Sequence, residues 1–195
     1  MLEAAPVLTE EFFARDTARV ARDLLGCLLE TTVEGTRTTG RIVEVEAYVG
    51  PHDPADHGFR NRRTKRNAAL FGPPGTSYVF RSYGIHWCFN AVTDRDAYPS
   101  AVLLRALEPL NGLEVMAARR RLSDPRKLCA GPGCLCQALG ITGAHDGLRL
   151  DRSPIRIRRP TRLDRSRMHT GPRIGISRAK DWPLRYYLAG PWVSR

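Results

Sequence analysis

No apolar run in this sequence is long enough to span a membrane, and no internal repeat or low-complexity linker divides it. The N-terminus carries Glu3, Glu10 and Glu11 where a secretory signal places positive charge. The chain is therefore expected to stay where it is made, in the cytoplasm. Its five cysteines, Cys27, Cys88, Cys129, Cys134 and Cys136, are odd in number and lack a C-x2-C pair. That argues for reduced thiols packed in apolar segments rather than disulfides or a zinc site. A G-x-S-x-G elbow and a phosphate-binding P-loop are also missing, which weighs against serine hydrolases and nucleotide hydrolases. Acid is in short supply: 20 Asp and Glu stand against 31 Lys and Arg, a formal net charge of +11. A field of that sign attracts polyanions, and nucleic acid explains it better than solubility alone. An anionic membrane is a weaker partner, because no basic amphipathic helix with a broad apolar face is present.

With 195 residues, 42% of them hydrophobic, the chain is long enough for one domain, residues 1–195, with a real core. Thr9 before two glutamates reads as a helix start, and Asp16 as the cap of a second helix ending at Gly26. Cys27 to Val33 and Arg41 to Tyr48 read as strands around a Glu34-Gly35 turn. In the second strand, alternation puts Val43, Val45 and Ala47 on one face and Ile42, Glu44, Glu46 and Tyr48 on the other. From this strand alone, a solvated face is the better reading of the carboxylates, with a sheet-floored site as the alternative. Residues 50–76 form a long irregular stretch holding Arg60, Arg62, Arg63, Lys65 and Arg66. Thr76 to Ser82 and Ile85 to Val92 read as a hairpin with Tyr83-Gly84 at its tip. A tip aromatic is an interface anchor or a folded-back lid. Arg105 sits inside an apolar strand, Ala101 to Leu107. It needs a buried anion, a ligand phosphate or an exposed strand face. Helices are expected at Leu113 to Leu122 and about Cys134 to Leu139. The tail bears Arg156, Arg158, Arg159, Arg162, Arg165 and Arg167, read as a solvated charge run, and then a strand at Leu184 to Leu188.

Two chemistries compete at this level. Glu44, Glu46, Asp53 and His57 have the donor types of a metal-dependent nuclease, although the prolines around His52 to His57 offer no helical ligand pairing. A carboxylate, strand aromatics, a basic loop and a hairpin-tip tyrosine instead suit nucleic-acid binding, with or without hydrolysis. A binding module without catalysis stays open here.

Several blocks carry a resemblance: Gly40 to Tyr48, Gly50-Pro51 with His57, Thr64 to Asn67, Pro74 to Thr76, Tyr78 to Asn90, Val102 to Pro109, Leu128 to Pro132, Leu135 to Leu139, Pro183 to Tyr187 and Pro191 to Ser194. In this order the chain resembles the alkyladenine (3-methyladenine) DNA glycosylases along nearly its whole length. The resemblance implies an α+β fold: one mixed domain with a curved antiparallel sheet, flanking helices and a protruding DNA-intercalating hairpin. It implies a monofunctional base-excision enzyme that flips 3-methyladenine, 7-methylguanine, hypoxanthine or ethenoadenine from duplex DNA. The enzyme hydrolyses the N-glycosidic bond and leaves an abasic site. Glu46 matches the water-activating glutamate, and Arg105 the arginine that holds that water and the flipped nucleotide. Tyr48, His57, Phe80 and Asn90 match the base pocket, and Tyr83 the intercalating wedge. Arg62, Arg63, Lys65 and Arg66 are expected on the DNA backbone. Phe80 departs from the tyrosine common at that place, which keeps a stacking face and loses a hydroxyl. Cys134 is extra within its block. No cofactor or metal is implied, and a monomer on one duplex is the expectation.

Overall fold

The computed structural model describes residues 5–159 and 165–194. Glu3 and Arg162 lie outside them, as does the side chain of Arg165. Among the described residues the frame is a nine-stranded sheet in which every pairing is antiparallel. Its main path is β3 (Ser77–Ser82), β4 (His86–Val92), β5 (Ala101–Asn111), β2 (Thr36–Tyr48), β1 (Leu28–Val33), β7 (Ile155–Arg158), β6 (Asp151–Arg152). The two remaining strands are β8 (Met168–Gly171) and β9 (Arg185–Leu188); β9 pairs with β8 and with the end of β2. With its helices the curled sheet makes an α+β fold. Among the described residues, no helix is long and apolar enough to cross a membrane.

Local chemistry sets the element ends. Asp16 caps α2 (Thr17–Leu24) by accepting from the Arg19 backbone N–H, and Val20, Ala21 and Leu24 turn inward. Thr9 precedes α1 (Glu10–Phe13), but its hydroxyl makes no capping bond there. Glu34 and Gly35 both adopt positive φ, the requirement of the tight turn between β1 and β2. The helix expected at Leu113 to Leu122 is α3 (Leu113–Arg120), closed by Arg121 in the left-handed region. A short α4 (Pro125–Leu128) follows, then α5 (Pro132–Leu139). Cys27, Cys129 and Cys136 pack in the main core, and Cys88 is buried beside it. Cys134 is half-buried and accepts from Arg120 Nη2 at 3.2 Å.

Strict alternation fails in β2, and the reason is visible. Ile42 pairs with Leu107 and Glu44 with Ala106, so Val43 is an extra residue on β2. Val45 pairs with Leu104, so Arg105 is the extra residue on β5. These paired bulges return Ile42 to the core with Val45 and Ala47, while Val43 leaves it. The carboxylate face is not solvated either: Glu44 and Glu46 are both 0% exposed. Part of the arginine-rich run is likewise paired rather than free, since Arg156 and Arg158 converge on buried Glu30.

Residues 50–76 fold as turns and two 3₁₀ segments, Phe59–Asn61 and Lys65–Phe71. Gly50 opens this stretch at φ +90°, and a Cβ there would lie 2.7 Å from the Tyr98 ring. Gly50→Ala combines overpacking with backbone strain and should cost about 2–5 kcal/mol. Urea unfolding midpoints of the two proteins check this; an unchanged midpoint would mean that the loop relaxes freely.

Candidate active site

Glu44, Glu46 and Tyr48 alternate along the end of β2, so one face of the sheet presents all three. The bulge on β5 aims Arg105 at them. Its Nε donates to Glu44 Oε1 at 3.1 Å, its Nη1 lies 3.1 Å from Glu46 Oε1, and its Nη2 donates to Ser194 Oγ at 3.3 Å. Glu44 also accepts from Arg185 Nε at 2.6 Å and from the Ser194 backbone N–H at 2.7 Å. The anion that the lone strand arginine needs is therefore a pair of buried carboxylates.

Glu46 is differently placed. Its Oε1 accepts from the Ile174 backbone N–H at 2.8 Å, and its Oε2 from the Tyr48 hydroxyl at 2.9 Å. Burial pushes its pKa up, while Arg105, the Ile174 amide and the Tyr48 hydroxyl pull it down. A carboxylate so raised is a stronger base than one in water. Glu46 has no exposed surface, yet Tyr48, Arg105 and Ile174, which all touch it, line a cavity of about 750 Å³.

The rest of that cavity is built from the hairpin and the irregular stretch. His57, Tyr78, Phe80, Tyr83 and Asn90 line it. His57 meets Phe80 edge-on, with ring centroids 4.5 Å apart. Its Nδ1 is 2.7 Å from the Tyr78 hydroxyl, and burial together with Arg66 lowers its pKa, which favours the neutral ring. The His57 carbonyl accepts from Asn67 Nδ2, whereas its backbone N–H has no acceptor among the described residues. Asn90 donates through Nδ2 to the Tyr78 carbonyl at 2.9 Å. Of the four basic residues expected on DNA, Arg62 and Arg66 line the cavity; Arg63 and Lys65 do not.

Tyr83 stands at the tip of the β3–β4 hairpin, 89% exposed, with Ile85 67% exposed beside it. Tyr83 and Gly84 take φ values of 48° and 71°, and the Ile85 backbone N–H closes the turn on the Ser82 carbonyl. Such a turn prefers Asn or Gly at its first central position, so the turn itself does not explain a tyrosine.

Sequence reasoning missed the residues that brace this site. Ser194 and Arg185 cover Glu44, and no local pattern announces them. Asp53 entered only as a metal donor, yet both its oxygens receive Arg173, and both side chains are fully buried. Glu44 is likewise taken up by Arg105 and Arg185, so two of the four donors of the nuclease reading already hold buried arginines.

Among the described residues no cation pairs directly with Asp56. Its oxygens accept from the Gly58 and Gly50 backbone N–H groups at 2.7 and 3.1 Å. Burial pushes its pKa up to about 7 against those two hydrogen bonds, with Asp53 adding to the rise and Arg173 opposing it. The folded chain thus holds a proton there that the unfolded chain releases near pH 4. That stabilising contribution is complete below about pH 4 and is lost as pH climbs through about 7. Asp56→Asn forfeits one backbone partner at every pH, but it removes this slope. Between pH 5 and 7.5 the melting temperature of the wild type should fall relative to the variant by about 5 °C or more. Parallel melting curves across that range would contradict the assignment.

Comparison with known proteins bears on the chain as a whole. The family model described as "Methylpurine-DNA glycosylase (MPG)" matches residues 11–191. A protein of Rhodopseudomonas palustris (strain HaA2) is 53% identical over 185 residues, which is 95% of this chain and 88% of that one. One from Methanoculleus marisnigri is 50% identical over 192 residues, 96% of this chain and 98% of its own. Both bear the name "Putative 3-methyladenine DNA glycosylase". On the length of these matches, the chain belongs to the methylpurine-DNA glycosylase family.

Proposed function

We propose that this chain is a monofunctional DNA N-glycosylase that receives a flipped, damaged purine in the aromatic cavity and hydrolyses its bond to the sugar. The observation that carries this reading is the buried Glu46, held by Arg105, Tyr48 and Ile174 against a cavity of base-accepting size. Glu46 Oε2 keeps a lone pair beyond the one that Tyr48 uses. Water bound there gives up a proton as its oxygen bonds to C1′. The C1′–N bond breaks, and its electron pair leaves with the base. The sugar passes through a cationic, oxocarbenium-like state, which the negative charge of Glu46 stabilises. Methylated purines such as 3-methyladenine are cationic while bound to the sugar and depart as neutral bases, whereas hypoxanthine and ethenoadenine need a proton on departure.

Flipping costs a few kcal/mol, least for damaged or mispaired bases. Exposed Tyr83 offsets the lost stacking by filling the vacated step from the minor groove. Tyr48, His57 and Phe80 then enclose the base, the free His57 amide reads the purine edge, and Asn90 obstructs the 2-amino group of guanine. Arg62, Arg66 and the net positive charge hold phosphates. No lysine lines the cavity among the described residues, so an abasic product without strand cleavage is expected.

The test uses end-labelled duplexes bearing one hypoxanthine or one ethenoadenine, and methylated duplex DNA, incubated in chelator. One half of each sample then receives hot alkali. Breaks only after alkali support the proposal. Breaks without alkali indicate a lyase or nuclease, and no release of any modified purine would sink the reading. Tyr83→Ala should weaken capture of lesion duplex about ten-fold or more. Its melting temperature should stay within about 1 °C, because an exposed side chain contributes little to stability. Titration by fluorescence anisotropy checks the first number and calorimetry the second.

A further inference from the structure

Arg173 is absent from the cavity lining although it touches a residue that lines it. Its guanidinium carbon sits 4.7 Å from the centroid of the Tyr48 ring. With the guanidinium over one face of the ring, the opposite face is the one left for a base to stack on. Nη2 donates to Asp53 Oδ1 at 2.8 Å, and Nη1 donates to Asp53 Oδ2 and to the Ala47 carbonyl, the latter at 3.0 Å. The next residue, Ile174, supplies the amide that holds Glu46. One side chain therefore ties together the end of β2, the turn after it and the segment leading to β9.

This contact has an electronic consequence. A cation over one face of an aromatic ring draws π density toward itself. The opposite face then attracts a second cation less. Asp53 offsets part of the field, but it is reached through the guanidinium. We propose that Arg173 is a specificity-determining residue that acts through Tyr48. By occupying the ring's rear face it weakens stacking with positively charged purines, and so lets neutral purines compete. The inference rests on the reading of the cavity as the base pocket. Arg173 is a positioning residue in the mechanical sense as well, and Arg173→Lys, which disturbs the position while keeping the charge, separates the two roles.

The discriminating measurement is a ratio within one protein preparation. Single-turnover release is followed from duplexes bearing 7-methylguanine, which is cationic, and hypoxanthine, which is neutral. The double variant Arg173→Met, Asp53→Asn removes both charges at similar volume. It should raise the 7-methylguanine to hypoxanthine ratio about three- to ten-fold. Arg173→Lys keeps the positive charge and should leave the ratio within about two-fold, whatever happens to the absolute rates. A ratio unchanged in the double variant, with both rates lowered together, overturns the proposal and leaves a scaffold role. Because the ratio is internal, an unfolded fraction cancels from it. Failure of the wild type to release either base would instead be a failure of the glycosylase reading itself.

Discussion

Glu46→Gln is expected to abolish base release while lesion-bearing DNA stays bound. The substitution preserves shape and most contacts. The amide oxygen still accepts from Ile174, and the amide N–H can donate to the Tyr48 hydroxyl, which then acts as acceptor. On the proposed mechanism two things are lost, the basic oxygen that takes the proton of water and the negative charge beside the developing oxocarbenium. A general base alone contributes roughly 10²- to 10⁴-fold, so single-turnover release should slow by at least that factor. On the proposed reading, binding rests on Tyr83, the aromatic walls and phosphate contacts, and of these the change touches only the Tyr48 hydroxyl, which keeps a partner. Alkali-revealed breaks over time measure the first quantity, and gel-shift titration on the same duplex the second. A variant retaining a tenth of the wild-type rate would remove Glu46 from the chemistry.

Arg105→Met is expected to produce the largest loss of stability. The guanidinium lies between two carboxylates with no exposed surface, and methionine fills space without charge. Glu44 keeps Arg185 and Ser194, but Glu46 loses the cation that pairs with it directly and still faces Glu44. Breaking a buried pair from one side costs about 3–5 kcal/mol. For a chain of this size that is roughly a 10 °C drop in melting temperature. Glu46, already raised in pKa, should rise further in the variant. The deficit should therefore grow as pH increases from 5 to 8, since the folded protein must then ionise an unpaired buried acid. A melting point within 2 °C of wild type at pH 8 would show that the arginine is not what makes the two carboxylates tolerable.

Short-range chemistry was readable from the chain. Asp16, the Glu34-Gly35 turn and the Tyr83-Gly84 tip act within a few residues of themselves, and each sits where those residues imply. The resemblance supplied the expected site residues, and the fold brings Tyr48, His57, Phe80, Asn90 and Arg105 to one cavity with Glu46 behind it. What stayed hidden was long-range. Nothing in β2 says that Ser194 and Arg185 will cover Glu44, so its carboxylates looked solvated. The bulges at Val43 and Arg105 break a period that sequence alternation assumes unbroken. Arg173 meets Asp53 across 120 positions of sequence, beyond the reach of any local pattern.

The buried cysteines carry a last implication, about survival. Reagents that methylate purines also seek sulfur, and the species they attack is the thiolate. In this fold burial pushes the thiols of Cys27 and Cys129 up to about 12 and that of Cys88 to about 11, and it holds Cys136 well above the usual thiol range. At neutral pH these four sulfurs hold their protons and lie out of reach. The same packing that builds the core thus blunts the protein's own nucleophiles, and an alkylating dose that creates lesions in DNA spends little of itself on those four side chains.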